Sequence, residues 1–302
     1  MERVTATTTT LAALMADLED LWQKIDAILG SLGPADWSRK HGKDWTFADV
    51  PYHMAYFDRE VIANGIARGP NMRADERQAL RSVAELNAWN ARKFAERSAS
   101  QTVEQSLAQM RAGRDAIRQA VAGLSDADLE RPTWSSLPGG GWQTVRRALE
   151  MCTAHTWNHL MELRLRLKRT SPEPQPSQTH RALAFYMNLL PAMCNRAQAA
   201  NTRFTSVMEF TGPGGGAWSL HVAHGTCCAM EERAPQPDLV LTQSAETFQA
   251  TMIGAQNPML AMLTGKIKVR GLRSMATFGK LFPSPKPDTI LESPVDGALA
   301  LQ

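Results

Sequence analysis

Apolar residues recur three or four apart from Leu11 to Leu32, at Leu11, Leu14, Leu18, Leu21, Ile25, Ile28 and Leu29, which predicts an amphipathic helix with one buried stripe. Gly33 and Pro34 stop it. A second helix is expected to open at Asp49, with Asp49 as N-cap and Pro51 in the first turn, and to run to Gly65 or Gly69. Helical spacing returns over residues 83–97 and 103–124, and residues 142–168 read as one more helix whose Arg-rich last turn suits its dipole. Long amphipathic segments with short connections predict an all-α up-and-down four-helix bundle over residues 1–170.

The pattern changes at Ser171-Pro172-Glu173-Pro174-Gln175-Pro176-Ser177, where alternating prolines fix φ and remove donors, so residues 171–178 are expected to form a linker and no helix. Beyond it come a predicted helix over 181–200, short β-like runs at 206–210, 217–223 and 239–242, and helical segments at 245–253 and 258–263. Lys266 to Arg270 alternate as a half-exposed strand before a closing helix over 272–282. The second half, residues 179–287, is therefore expected to be an α+β domain, with residues 288–302 as a flexible tail. A length of 302 residues suits two cores.

Charge adds one exclusion. The 33 basic and 30 acidic residues are interspersed and leave a formal +3, which disfavours nucleic acid as the partner. Cys152, Cys194, Cys227 and Cys228 show no paired spacing and fit a reducing compartment. No leader pattern precedes Leu11, and no apolar run reaches the ~18 residues of a membrane span, so a cytoplasmic protein is expected, as a monomer or homodimer.

Among the chemistry-bearing residues, His155 and His159 lie four apart, so a helix stacks both imidazoles on one face. Spacing alone leaves them as readily satisfied core or surface histidines as metal ligands. A third ligand is offered by His53 on the helix opened by Asp49, which a bundle can bring opposite the pair. Cys152 reads as core, Asp49 as a helix cap, and Glu162 as a surface charge. His221 and His224 would point to opposite faces of a strand, and His41 and His180 sit in loop contexts without a signal.

The run from Trp45 to His53, with the H-x-x-x-H of His155 and His159 near the end of the last bundle helix, resembles the DinB-like metal-binding bundle superfamily, which includes the mycothiol-dependent maleylpyruvate isomerases. That resemblance covers about residues 10 to 170 and implies His53, His155 and His159 as ligands of a divalent metal. Zinc suits three imidazoles, and nickel or iron is possible as well. In the maleylpyruvate isomerases the middle ligand is typically glutamate, whereas His155 stands here, as in other DinB-like proteins. The superfamily also implies a low-molecular-weight thiol cofactor such as mycothiol or bacillithiol, activated at the metal.

Met262 to Gly271, followed by Gly279-Lys280-Leu281-Phe282, resembles the sterol-carrier-protein-2 fold over about residues 180 to 285. The resemblance implies an apolar tunnel to which Met252, Met259, Met262, Met275, Phe248 and Phe278 could contribute, although each equally suits ordinary core packing. The leading expectation is a metal-dependent, thiol-assisted transferase or isomerase acting on a small electrophilic substrate, its catalytic residues unknown. The alternative is a non-catalytic, metal-stabilised protein that carries a lipid or other hydrophobic ligand in its C-terminal domain.

Overall fold

The computed structural model describes residues 9–41, 45–73, 79–137, 141–168, 171–284, 286, 287 and 289. The expected tail, 288–302, lies outside them apart from Thr289, as do residues 138–140 of the Gly-rich loop.

Helix α1 spans Leu11–Gly30 and begins where the Thr10 hydroxyl accepts from the Ala13 amide. Its predicted stripe is the buried one, with Leu14, Leu18, Leu21, Ile25, Ile28 and Leu29 all inside. A short α2 (Pro34–Trp37) leads to a two-residue pairing, β1 (Lys40–His41) with β2 (Trp45–Thr46). Next, α3 (Asp49–Tyr56) continues through a π-helical stretch, Phe57–Ala63, into α4 (Asn64–Arg68). Asp49 proves to be the first helical residue and not the cap. Its carboxylate accepts from the Thr46 amide and hydroxyl and pairs with Arg97. Helix α5 (Val83–Glu96) has no buried residue and is tied to the end of α3 by the Tyr52 and Tyr56 hydroxyls, which donate to the Lys93 carbonyl and Asn90 Oδ1, while α6 (Val103–Val121) packs along α3 and the π stretch.

The helix expected over 142–168 loses its start to a hairpin. Strand β3 (Pro132–Ser135) pairs with β4 (Gly141–Thr144), and α7 (Val145–Leu167) begins only after Thr144 caps it. α7 packs on α1 on one side and on α8 (Pro176–Met187) on another, and is buried around most of its circumference. Thus α1, α3 with its extension, α6 and α7 make the bundle.

α8 overturns the expectation that the proline run excludes helix. Pro176 sits in its first turn, where the missing N–H costs nothing. The helix expected over 181–200 is broken near Pro191, and only a short α9 (Arg196–Ala199) follows. A five-stranded sheet comes next, built from β5 (Phe204–Thr211), β6 (Gly216–Ala223), β7 (Thr226–Met230), β8 (Leu239–Ser244) and β9 (Lys268–Arg270) in the order β7-β6-β5-β8-β9. Only β5 with β8 is parallel. Between β8 and β9 stand α10 (Ala245–Met252) and α11 (Pro258–Leu263), and α12 (Met275–Leu281) closes the domain. Leu183 and Met187 of α8 join Phe204, Phe210, Trp218 and Leu241 in this second core.

Candidate metal centre

Two elements bring the three predicted histidines together. α7 stacks His155 and His159 a turn apart, and α3 supplies His53 from across the bundle. One donor atom from each lies within 4.8 Å of the other two. His155 Nε2 is 3.0 Å from His53 Nε2 and 3.2 Å from His159 Nε2. Ligands of a tetrahedral ion at 2.0–2.1 Å stand ~3.3 Å apart, so these separations match the donor spacing a small divalent ion requires. His53 and His159 are buried and His155 is half-buried.

The outer ring nitrogens show which tautomers the chain holds. Tyr56 donates its hydroxyl proton to Asn90 Oδ1 at 2.8 Å, so its oxygen accepts from His53 Nδ1 at 2.6 Å. That puts the His53 proton on Nδ1 and a lone pair on Nε2. His159 Nδ1 faces Glu162 Oε2 at 3.6 Å, beyond hydrogen-bond length, and the nearby carboxylate favours the proton on Nδ1 and hence a bare Nε2 turned inward. His155 is stacked on Phe57, with ring centroids 3.5 Å apart, and its Nδ1 is buried without a partner. Nitrogen lone pairs so close repel one another unless a proton or cation lies among them. Burial, reinforced by the neighbouring imidazoles, pushes His53 and His155 well below the ordinary histidine value, which keeps both neutral as ligation requires. The donor set therefore fits a divalent ion.

Glu162, expected on the surface, is 9% exposed and binds three neighbours at once. Its Oε2 also lies 3.4 Å from His41 Nε2, and its Oε1 accepts from Arg166 at 2.9 Å. Burial alone would raise its carboxyl, but His159, His41 and Arg166 outweigh that and hold it at about 2. His41, expected to carry no signal, is 4% exposed, and burial takes it down to about 4. Arg166 continues to the Ile253 carbonyl at 3.4 Å, just past α10, and Asn158 next to His159 accepts from Gln249 at 2.6 Å. The second domain thus abuts the outer support of the cluster.

Tyr56, Asn90, Glu162 and His41 are the partners that sequence reasoning missed. For Glu162 and Tyr56 a signal existed, since Glu162 stands three residues after His159 and four before Arg166, and Tyr56 three after His53, each on one helical face. Cys152 is core as expected, fully buried with its thiol 3.8 Å from Asp58 and raised well above the ordinary cysteine range by that burial. His221 lies on β6 facing Thr205, and His224 occupies a left-handed turn position, so the structure does not bring them together. His180 reaches Glu231 in the second domain.

These features define a helical bundle with an inward three-histidine cluster, fused to an α+β domain. Residues 17–163 match the model of the DinB superfamily and residues 189–282 that of the SCP-2 sterol transfer family, so the chain joins a DinB-type bundle to an SCP-2-type domain. Among solved structures it is similar to a mycothiol-dependent maleylpyruvate isomerase, at 13% identity over 80% of this chain and 87% of that one, with a TM-score of 0.50. A histidine-to-alanine variant of such an isomerase aligns with a TM-score of 0.51 at 12% identity, again over 80% and 87% of the two chains. Likeness at this identity establishes the shared fold. A curated relative, hydroxysteroid dehydrogenase-like protein 2 of Pongo abelii, is 24% identical over 110 residues, 36% of this chain. That match spans 26% of the relative's length.

Proposed function

We propose that this chain is a divalent-metal-dependent enzyme that uses a low-molecular-weight thiol to transform a small electrophile, as a thiol transferase or an isomerase. The observation that carries the reading is the convergence of three imidazoles, with His155 Nε2 3.0 and 3.2 Å from the Nε2 atoms of His53 and His159 and the His53 Nδ1 proton engaged outside the cluster by Tyr56. His53, His155 and His159 would hold the ion, with zinc the best match to three neutral imidazoles and nickel or iron as alternatives. When bound, such an ion supplies a Lewis acid that acidifies a coordinated thiol or water at neutral pH.

The chain's own residues prepare that site. Tyr56 and Asn90 fix the His53 ring, and Glu162 orients His159 while Arg166 and His41 keep the carboxylate charged. Phe57 covers one face of His155 and excludes water from it. Because His155 is neutral where the maleylpyruvate isomerases typically carry an acid, the cluster retains the full charge of the ion, which favours an anionic thiol as the partner.

Metal analysis of untagged protein tests the site. Close to one equivalent per chain is expected, and less than about a tenth would rule it out. Turnover of a small electrophile such as maleylpyruvate should depend on added mycothiol or bacillithiol and vanish in His155→Ala with the fold intact. Metal without thiol-dependent turnover, together with a hydrophobic ligand retained on purification, would favour the carrier reading that the SCP-2 match supports. A cytoplasmic location accords with the reading, and no helix among the described residues is long and apolar enough to cross a membrane.

A further inference from the structure

Large exposed apolar side chains are concentrated in one stretch of the α+β domain. Six are present among the described residues, and five of them fall between residues 252 and 272: Met252, Met259, Leu260, Leu263 and Leu272, exposed by 47, 61, 55, 82 and 71%. α11 is two-sided. Ala261 is buried and Met262 packs on the core, while Met259, Leu260 and Leu263 face outward.

The charge of this stretch is equally lopsided. Between Glu246 and Asp288 there is no acidic residue, and there are six cations, Lys266, Lys268, Arg270, Arg273, Lys280 and Lys286, in a chain whose net charge is only +3. Lys266 follows α11 after a Thr264-Gly265 turn, and Arg273 adjoins Leu272. Both are exposed, and neither is ion-paired among the described residues. Lys268 and Arg270 extend the positive edge along β9, on the face opposite Val269, where Glu209 engages part of the Arg270 charge.

Exposed Leu and Met are unfavourable in water, and a purely apolar partner would leave the adjoining cations without counterions. An anionic bilayer surface satisfies both, since apolar side chains enter the acyl boundary while Lys and Arg meet lipid phosphates. We propose that α11 and the segment 264–273 dock the α+β domain peripherally onto an anionic phospholipid bilayer. The docking is independent of the metal chemistry proposed above.

Vesicle flotation of the full chain tests it, using phosphatidylcholine vesicles with and without phosphatidylglycerol. Binding is expected with phosphatidylglycerol, weakening as salt rises. Lys266→Gln with Arg273→Gln should lower the affinity about 25-fold, roughly fivefold per charge. Leu260→Ser with Leu263→Ser should lower it at least about tenfold, and unchanged thermal unfolding would show that each variant is folded. Failure of the native chain to float with phosphatidylglycerol vesicles, or binding unaltered in both double variants, overturns the proposal. So does a native dimer that ignores vesicles and becomes monomeric in Leu260→Ser with Leu263→Ser, because a second copy would then be the occupant.

Discussion

At the scale of single residues, the proposed metal chemistry would depend on Glu162 as much as on the three histidines. One buried carboxylate faces His159, His41 and Arg166, so its charge is held by its surroundings and in turn fixes the orientation of a donor ring. Replacing Glu162 by Gln keeps the volume and removes the charge. The substitution should weaken metal affinity about 10- to 100-fold in a chelator competition while leaving the helix intact. The same network sets an acid limit on the metal-free chain. Folded His41 takes its proton only near pH 4, against 6.5 for a free imidazole, so between those values the unfolded chain binds the extra proton. Stability is therefore lost as pH falls from 6.5 to 4, on the order of 3 kcal/mol from this group. Glu162 extends the loss, since its contribution is complete above 4.5 and disappears as pH falls towards 2. Asp58 acts in the opposite direction. Burial lifts its carboxyl to about 7, so its contribution is complete below 3.8 and disappears as pH rises through 7. Between pH 6.5 and 4 the two offset each other, so urea midpoints of chelator-treated protein should be nearly flat there and should fall with pH in Asp58→Asn; a flat profile in Asp58→Asn would contradict the network. The clustering of the three histidines was legible because a helix turns spacing into proximity and the Trp45 to His53 run marks the third. Asn90 and His41 were not, because each reaches the cluster through tertiary contacts that no local spacing encodes, whereas Tyr56 stands one helical turn after His53.

At the scale of elements, the π stretch Phe57–Ala63 is what the hydrophobic pattern could not distinguish from ordinary helix. A π turn adds a residue to a turn but keeps buried positions buried, so the periodicity expected from Asp49 to Gly69 blurs without breaking. The stretch lets Phe57 cover His155 while Asp58 is directed into the core beside Cys152. α6 comes close here because residue 113 is glycine, where an added Cβ would stand 2.9 Å from the Ala55 carbonyl oxygen and 3.2 Å from Asp58 Cβ. Gly113→Ala should cost on the order of 2 kcal/mol and lower Tm by several degrees in a thermal melt. The hairpin of β3 with β4 escaped notice for another reason. Trp142, Gln143 and Thr144 continue smoothly into the α7 pattern, and only the pairing of Trp134 with Trp142 reveals the strand.

At the scale of the whole molecule, the two halves are joined through α8. Ala182 and Phe185 lie in the bundle core, while Leu183 and Met187, on the same four turns or fewer of helix, lie in the core of the sheet domain. Asp17 of α1 ties the arrangement, accepting from Ser177 at 2.9 Å and from Arg181 at 2.7 Å, and Gln178 reaches the Asp17 carbonyl and Asp20. Asp17→Ala should loosen this docking, and calorimetry is expected to resolve one unfolding transition into two, with faster proteolysis near residues 171–175. Two domains and their order were legible from the proline run. That α8 starts inside the run was not, because proline forbids helix interiors yet suits helix starts, and composition does not say which applies. For recombination between relatives, α8 behaves as a single inheritable unit. A crossover within residues 176–187 would pair one parent's bundle-facing side chains with another parent's sheet-facing ones, so chimaeras that exchange the second domain should retain function only when α8 travels with the α1 residues Asp17 and Asp20 that receive it.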